Sequence, residues 1–400
     1  MFAWEQCKLG DVCEEVSGNN GNVKGLPILT ISAANGWMNQ KDRFSQVIAG
    51  NELKKYTLLK KGHLAYNHGN SKQAKYGTVF VQNLYDQALV PRVYHSFKMK
   101  TENNPYYVEY YFATKKLDRE LARLVTSGAR MDGLLNINKK DFFKIKFEVP
   151  TPVEQSLIGT ILQKLDQTIT LHEEKKRQLE RLKSALMQKM FADESGYPAI
   201  RFKRYNSAWV LRRIIDLLNQ AITDGPHETP CLVGKGIPFI SADAIVNNKI
   251  DFSRKRGNIT KEYDLECCKK YRPQMHDIYL VKSGSTVGKV AIVETTTRFN
   301  IWSPLAALRC GEKSDPYFVF FLMQTEKFQT QVKNKASNGT QPNLSMRALE
   351  RFKVIVSIEL SEQQAIGNLL KKVNELIDLH KHKIDNLIAI KQWLLQNMFI

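Results

Sequence analysis

VEQSLIGTILQKLDQTITLHEEKKRQLERLKSALMQKMF (153–191) returns 208 positions later, without a gap, as SEQQAIGNLLKKVNELIDLHKHKIDNLIAIKQWLLQNMF (361–399). Glu154-Gln155 becomes Glu362-Gln363, Leu171-His172 becomes Leu379-His380, and Met190-Phe191 becomes Met398-Phe399. In the first copy Ile158, Leu162, Leu165, Ile169, His172, Lys176, Leu179, Lys183, Leu186 and Met190 fall at alternating spacings of four and three. This is the heptad period of a helix that packs along one seam. The second copy sets Ile366, Leu370, Val373, Ile377, His380, Ile384, Leu387, Lys391, Leu394 and Met398 at the same places. Two such stripes fit each other, and each helix spans about 60 Å at the usual rise per residue. The pair can run parallel or antiparallel. Antiparallel pairing makes the halves equivalent about a pseudo-two-fold axis, and that symmetry favours it.

Start signals frame both copies. Thr151-Pro152-Val153-Glu154 reads as a capping box with proline at the first helical position, and Ser361-x-x-Gln364 reads as its counterpart. Leu171, Leu379 and Trp393 lie opposite the seam, where a free two-stranded coil is polar. They either meet the flanking globular units or form an interface for another subunit.

Working outward, the segments ahead of each helix also correspond. Trp4 answers to Trp209, Leu9-Gly10-Asp11 to Ile214-Ile215-Asp216, and Asn104-Pro105-Tyr106 to Asp315-Pro316-Tyr317. The chain therefore divides into a globular unit over 1–150, a long helix over 151–195, a second unit over 196–357 and a second helix over 358–400. Both units read as mixed α/β. Strand-like runs at 27–32, 63–66, 77–82, 238–242, 277–281 and 289–293 are broken by Gly, Asn and Ser turns, and Asn-Pro or Asp-Pro starts helices over 106–117 and 317–328. The fold class is α+β: two α/β units joined by two long helices that form an antiparallel coiled coil.

Charge narrows the partners. The 400 residues hold 59 Lys and Arg against 40 Asp and Glu, a net +19, which favours nucleic acid or another anionic surface. No run approaches a membrane span, and MFAWEQCKLG has neither a basic n-region nor an apolar core, so a cytoplasmic protein is expected. The six cysteines lack zinc-ligand spacing and read as reduced thiols.

Three loop regions recur in each unit, rich in groups that reach phosphates or base edges. The first is SGNNGN (17–22), offering Asn19, Asn20 and Asn22, matched by DGPHETP (224–230) with His227 and Thr229. The second is NHGNSKQAK (67–75) with Asn67, Asn70, Ser71, Lys72 and Lys75, matched by KSGSTVGK (282–289) with Lys282, Ser283, Ser285, Thr286 and Lys289. The third holds Arg130 and Asn136, matched by KNKASNGTQPN (333–343) with Asn338, Thr340, Gln341 and Asn343. Gly, Asn and Ser also make ordinary turns, so no single loop decides the matter. Recurrence at like positions on a basic chain favours DNA contact for the set.

Other patterns fail on their chemistry. GSTVGKV (284–290) is one residue short of a phosphate-binding P-loop and lacks the hydroxyl after its lysine. Asn104-Pro105-Tyr106 and Asp315-Pro316-Tyr317 lack the second proline of an amino-methyltransferase motif and read better as helix starts. His172 and His380 suit a polar layer that fixes register better than a metal site, and His68, His95 and His227 have no acid or nucleophile nearby in sequence that would suggest a catalytic group. No catalytic residue and no metal ligand is expected.

On these features the chain resembles the specificity (S) subunits of type I restriction-modification systems, the HsdS family, over nearly its whole length. The resemblance rests on Trp4-Glu5-x-x-Lys8-Leu9-Gly10-Asp11, on the helix starts at 150–158 and near Glu362, on the run 277–291 and on SNGTQPNLS (337–345). The first unit departs from the family pattern at 63–71 and 127–133. The resemblance implies two target recognition domains, each reading half of a split asymmetric site in double-stranded DNA, with the coil as a ruler. It also implies two modification subunits that methylate adenine with S-adenosylmethionine, and restriction subunits that use ATP and Mg2+, so that this chain itself binds no cofactor. A basic coiled-coil scaffold for RNA or acidic proteins is the competing reading; the recognition half of a fused restriction-methyltransferase would need a catalytic region that this chain lacks.

Overall fold

The structure, a computed structural model, describes residues 4–18, 25–43, 50–69, 71, 74–100, 102–126, 134–337 and 342–399, with the side chains of 50–52 left aside. It divides into two compact units, one running up to Glu173 and resuming at His382, the other from Glu174 to Lys381. Each long helix is therefore shared between the units, where the sequence suggests separate segments.

In the first unit a four-stranded antiparallel sheet runs in the order Cys13–Glu15, His95–Met99, Leu64–Asn67, Thr78–Val81. The second unit repeats it with Thr223–Asp224, Leu305–Leu308, Ile278–Val281 and Val290–Ile292. In both, the opening strand pairs with the strand that leads to a long helix, Glu5 opposite Val149 and Val210 opposite Val356. The strand-like runs read from the sequence all contain strands, and the sheets with their helices make an α+β fold.

The long helices are Pro152–Lys189 and Leu360–Asn397, 38 residues each. In the first unit Ile158 and Leu162, from the start of one helix, share a core with Phe399, just past the end of the other. Met190, just past the first helix, meets Ile366 and Leu370 of the second in the other unit. Within each unit the helices thus run antiparallel. Of the two capping boxes, only half of one forms: the Glu154 N–H bonds Thr151 Oγ1 at 3.3 Å, but the Glu154 carboxylate accepts instead from Trp4 Nε1 at 3.3 Å. The second helix begins one residue before Ser361, and the nearby hydroxyl that takes a backbone donor is Ser357, from Glu359.

The repeat reaches individual atoms. Trp209 Nε1 donates to Glu362 at 3.0 Å as Trp4 does to Glu154. Gln155 Oε1 accepts from the Asn104 N–H, and Gln363 Oε1 from the Asp315 N–H. Phe399 packs on Trp4 and Tyr107 as Phe191 does on Trp209 and Phe318. Asn104 and Asp315 cap their helices through the side chain, the role their Asn-Pro and Asp-Pro pairs suggest. Those helices stop at Ala113 and Leu322, short of the expected 117 and 328. In the first, Thr114 Oγ1 donates back to the Tyr111 carbonyl and Lys115 turns left-handed at φ 63. In the second, Thr325 donates to the Leu322 carbonyl and caps a new helix, Glu326–Lys335.

Candidate nucleic-acid interface

In the second unit the loop 282–289 joins two fully buried strands, Ile278–Val281 and Val290–Ile292, so its base is rigid. Gly284 and Gly288 sit at φ 97 and 96, a region open chiefly to glycine, and the loop closes with the Gly288 N–H on the Val281 carbonyl at 2.9 Å. The third loop region lies against it. The Gly284 N–H bonds the Pro342 carbonyl at 2.9 Å, the Leu344 N–H bonds the Lys282 carbonyl at 2.7 Å, and Ser283 bridges Asn343. Between them a cleft of about 410 Å³ has Val287, Val332, Ala336 and Pro342 as its apolar lining and Ser285, Lys333 and Ser337 as its polar groups. The first loop region joins through Asp224, whose buried carboxylate lies 3.3 Å from Lys282 Nζ and 3.2 Å from His227 Nε2 and also binds Lys270.

Ser285, Lys289, Asn343, His227 and Thr229 are exposed around this convergence, and Ser283 and Thr286 are half-buried. Lys289 carries no ion pair among the described residues. Lys282 is a correction. Its ammonium is turned inward onto Asp224 and largely buried, because a carboxylate out of water needs compensating charge; it ties two loops together in place of facing a phosphate. Asn338, Thr340 and Gln341 lie outside the described residues.

The first unit builds the same joint. Gly69 bridges Leu134, and the Leu135 N–H bonds the His68 carbonyl at 3.0 Å. Below it His68 and His95 lie with ring centroids 4.0 Å apart, beside Tyr66 and Phe142, and each bonds a carbonyl of the third loop region, Leu135 and Ile137. Burial, with His68 next in effect, pushes His95 down to about 3. Asn67 also holds the turn: its amide donates to the Ile31 carbonyl at 3.2 Å and accepts from the Gly69 N–H at 3.1 Å. Ser71 Oγ accepts from the Ala74 N–H, while Lys75 and Asn136 are exposed. Asn19, Asn20, Asn22, Asn70, Lys72 and Arg130 lie outside the described residues.

The helix positions set opposite the seam are partly open to solvent: Leu171, Leu379 and Trp393 are 51%, 47% and 61% exposed. Sequence reading missed two groups. Asp224 was only part of a loop, since Lys270 and Lys282 are remote in sequence. The other is a stack of the Arg256 guanidinium on Trp302, 4.0 Å from the ring centroid, with no local pattern to announce it. Among the described residues no helix is long and apolar enough to cross a membrane.

The family model described as the type I restriction modification DNA specificity domain matches residues 1–181 and again 191–389. A protein assigned as the specificity subunit of type I restriction enzyme MjaX of Methanocaldococcus jannaschii is 21% identical over 420 residues, covering 97% of this chain and 91% of its own. The MjaVIII specificity subunit from the same organism is 22% identical over 297 residues, covering 71% and 67%. The crystal structure of a type I restriction-modification S subunit from M. genitalium shares the fold at a TM-score of 0.63 and 13% identity, covering 99% of this chain and 96% of that one.

Proposed function

This chain belongs to the type I restriction-modification DNA specificity family, and from that premise we propose that its two units each read one half of a split, asymmetric site in double-stranded DNA. The observation that carries this is the loop joint built twice, Gly69 on Leu134 and Ser283 on Asn343, with the same backbone bridge presenting different side chains. Two readers of one construction and different chemistry suit two different half-sites. Exposed lysines such as Lys75 and Lys289 supply affinity through phosphates, and the Ser, Asn and Thr groups around the joints discriminate bases.

The long helices act as the spacer that fixes the unread gap, and their exposed Leu171, Leu379 and Trp393 dock the modification subunits. Adenine methylation with S-adenosylmethionine, and cleavage driven by ATP with Mg2+, belong to those partners and to restriction subunits; this chain works with them in the cytoplasm as a non-catalytic recognition subunit. Selection of bound sequences from random duplex DNA, using the full chain with its modification subunits, tests the reading. It predicts a two-part consensus, and a gap that changes when both helices are lengthened by a turn. A single continuous consensus, or a gap indifferent to helix length, overturns it.

A further inference from the structure

Three strands of the second unit, Gly257–Ile259, Ile237–Ile240 and Asn300–Ile301, form a sheet with Ile237–Ile240 in the middle. Its end fixes two residues from opposite sides. The Arg256 N–H bonds the Phe239 carbonyl at 2.9 Å, and the Trp302 N–H bonds the Ile240 carbonyl at 2.8 Å. Their side chains meet there, the guanidinium carbon 4.0 Å from the indole centroid. Trp302 Nε1 is buried with no acceptor among the described residues, so the ring is held by its backbone and its packing.

Arg256 is exposed, and its guanidinium has no ion pair or hydrogen bond among the described residues, whereas neighbouring Arg254 faces Asp251. An arginine set over an aromatic ring keeps its planar fork of N–H donors available and loses little freedom on using them.

The stack adjoins the loop joint. A Cβ on Gly225 would lie 1.9 Å from the Ile301 carbonyl oxygen, so the first loop region rests directly on the 301–302 backbone. The Ser303 N–H bonds the Pro226 carbonyl, and the Lys282 N–H bonds the Pro304 carbonyl. One short segment, 302–304, thus carries the stack and touches both loops.

We propose that Arg256, held over Trp302, reads a guanine in the half-site of the second unit, through paired N–H bonds to O6 and N7. It rests on the reading of the units as DNA readers. A planar, pre-set and unspent fork matches guanine's two major-groove acceptors, the pairing arginine makes most often with a specific base.

The test is sequence selection with the full chain and its modification subunits, at two salt concentrations, for wild type, Arg256→Ala and Arg256→Lys. The half-site of the first unit serves as the control for folding and assembly. Wild type should select a guanine in the second half-site, and Arg256→Ala should lower that preference roughly 5- to 150-fold while leaving the other positions intact. Arg256→Lys keeps the charge without the fork and should not restore it. A second half-site without guanine, or an unchanged preference in Arg256→Ala, overturns the assignment while the split consensus stands. Uniform weakening with a salt slope smaller by about one assigns Arg256 to a phosphate and overturns it too. A wild type without a split consensus removes the functional reading itself.

Discussion

Gly367→Ala is the substitution for which the structure inverts the ordinary rule. Alanine inside a helix is usually better than glycine by about 1 kcal/mol. Here a Cβ would lie 2.3 Å from Asp315 Oδ1 and 2.9 Å from the Phe318 nitrogen, the two atoms whose 2.7 Å hydrogen bond caps the helix Pro316–Leu322. The contact can be relieved in two ways. Moving the Asp315 side chain gives up the cap, about 1 kcal/mol. Moving the helix disturbs a segment buried from Tyr317 to Leu322, and overpacking of that kind costs about 1–3 kcal/mol. Set against the helix-propensity gain of about 1 kcal/mol, the net effect runs from about zero to a loss of about 2 kcal/mol.

Gly159→Ala supplies an internal scale. Its Cβ would stand 2.8 Å from Asn104 Oδ1 and 3.2 Å from Tyr106 Cβ, a milder overlap with a neutral amide, so the loss should be smaller. Thermal unfolding followed by tryptophan fluorescence reads both. Gly367→Ala should lower the midpoint by up to roughly 8 °C for a unit of this size, and should not raise it. A midpoint that rises in Gly367→Ala, or one that falls further in Gly159→Ala, would refute the packing argument.

Three more outcomes follow from the same geometry. Lys289→Ala should weaken DNA binding evenly across sequences and reduce the salt slope by about one, read by titration at several salt concentrations; a changed base preference would contradict a phosphate role. Burial, with Asp166 adding to it, raises Glu109 to about 7 against the Val81 N–H and Lys391. The native state then binds the proton more tightly than the unfolded chain, so the stability Glu109 contributes is fullest below pH 4.5 and is lost as pH rises through 7. Glu109→Gln should therefore match wild type near pH 4 and exceed it at pH 8 by up to about 3 kcal/mol in urea unfolding; an equal difference at both pH values counts against this. Cys231 is exposed two residues past Thr229, whereas burial pushes Cys13 and Cys310 up to about 12. A maleimide should thus label Cys231 before either of those two, and cognate duplex should slow the labelling; an unprotected Cys231 would move DNA away from the first loop region.

What the sequence discloses and what it hides divide by distance along the chain. The long helices were legible because a heptad stripe and a Thr-Pro start are written within a few residues of each other. So was the role of Asn104 and Asp315, which act on N–H groups two or three residues on. The helix ends at Ala113 and Leu322 were not, since one threonine hydroxyl overrides a run of aromatic residues that would otherwise continue. Least legible were the site residues. Lys282 sits among Gly and Ser and reads as a surface cation until Asp224, on a different strand, draws it in. Asn67 reads as a base contact alone, while the structure also ties its amide to the Ile31 carbonyl. The Arg256–Trp302 stack exists only because a strand belonging to neither residue holds both.

The two halves differ most where they would touch DNA and agree most where a unit meets its helices, and this asymmetry has a physical basis. At the junction each atom has several simultaneous obligations. Glu362 accepts from Trp209 and binds Arg201 twice, at 2.6 and 2.9 Å, while Gly367 leaves room for the cap that Asp315 makes. A lysine from the end of one helix lies over an aromatic ring in each unit, Lys391 over Tyr110 and Lys183 over Phe321. Changing one member strands its partners, and a buried carboxylate left without its guanidinium costs about 3–5 kcal/mol. The joint between loops is of another kind: Gly69 with Leu134, and Ser283 with Asn343, are tied through the backbone. Backbone bridges are indifferent to side-chain identity. The exposed side chains of these loops can therefore change while the bridge beneath them stays fixed, as the proposed reading of two different half-sites requires.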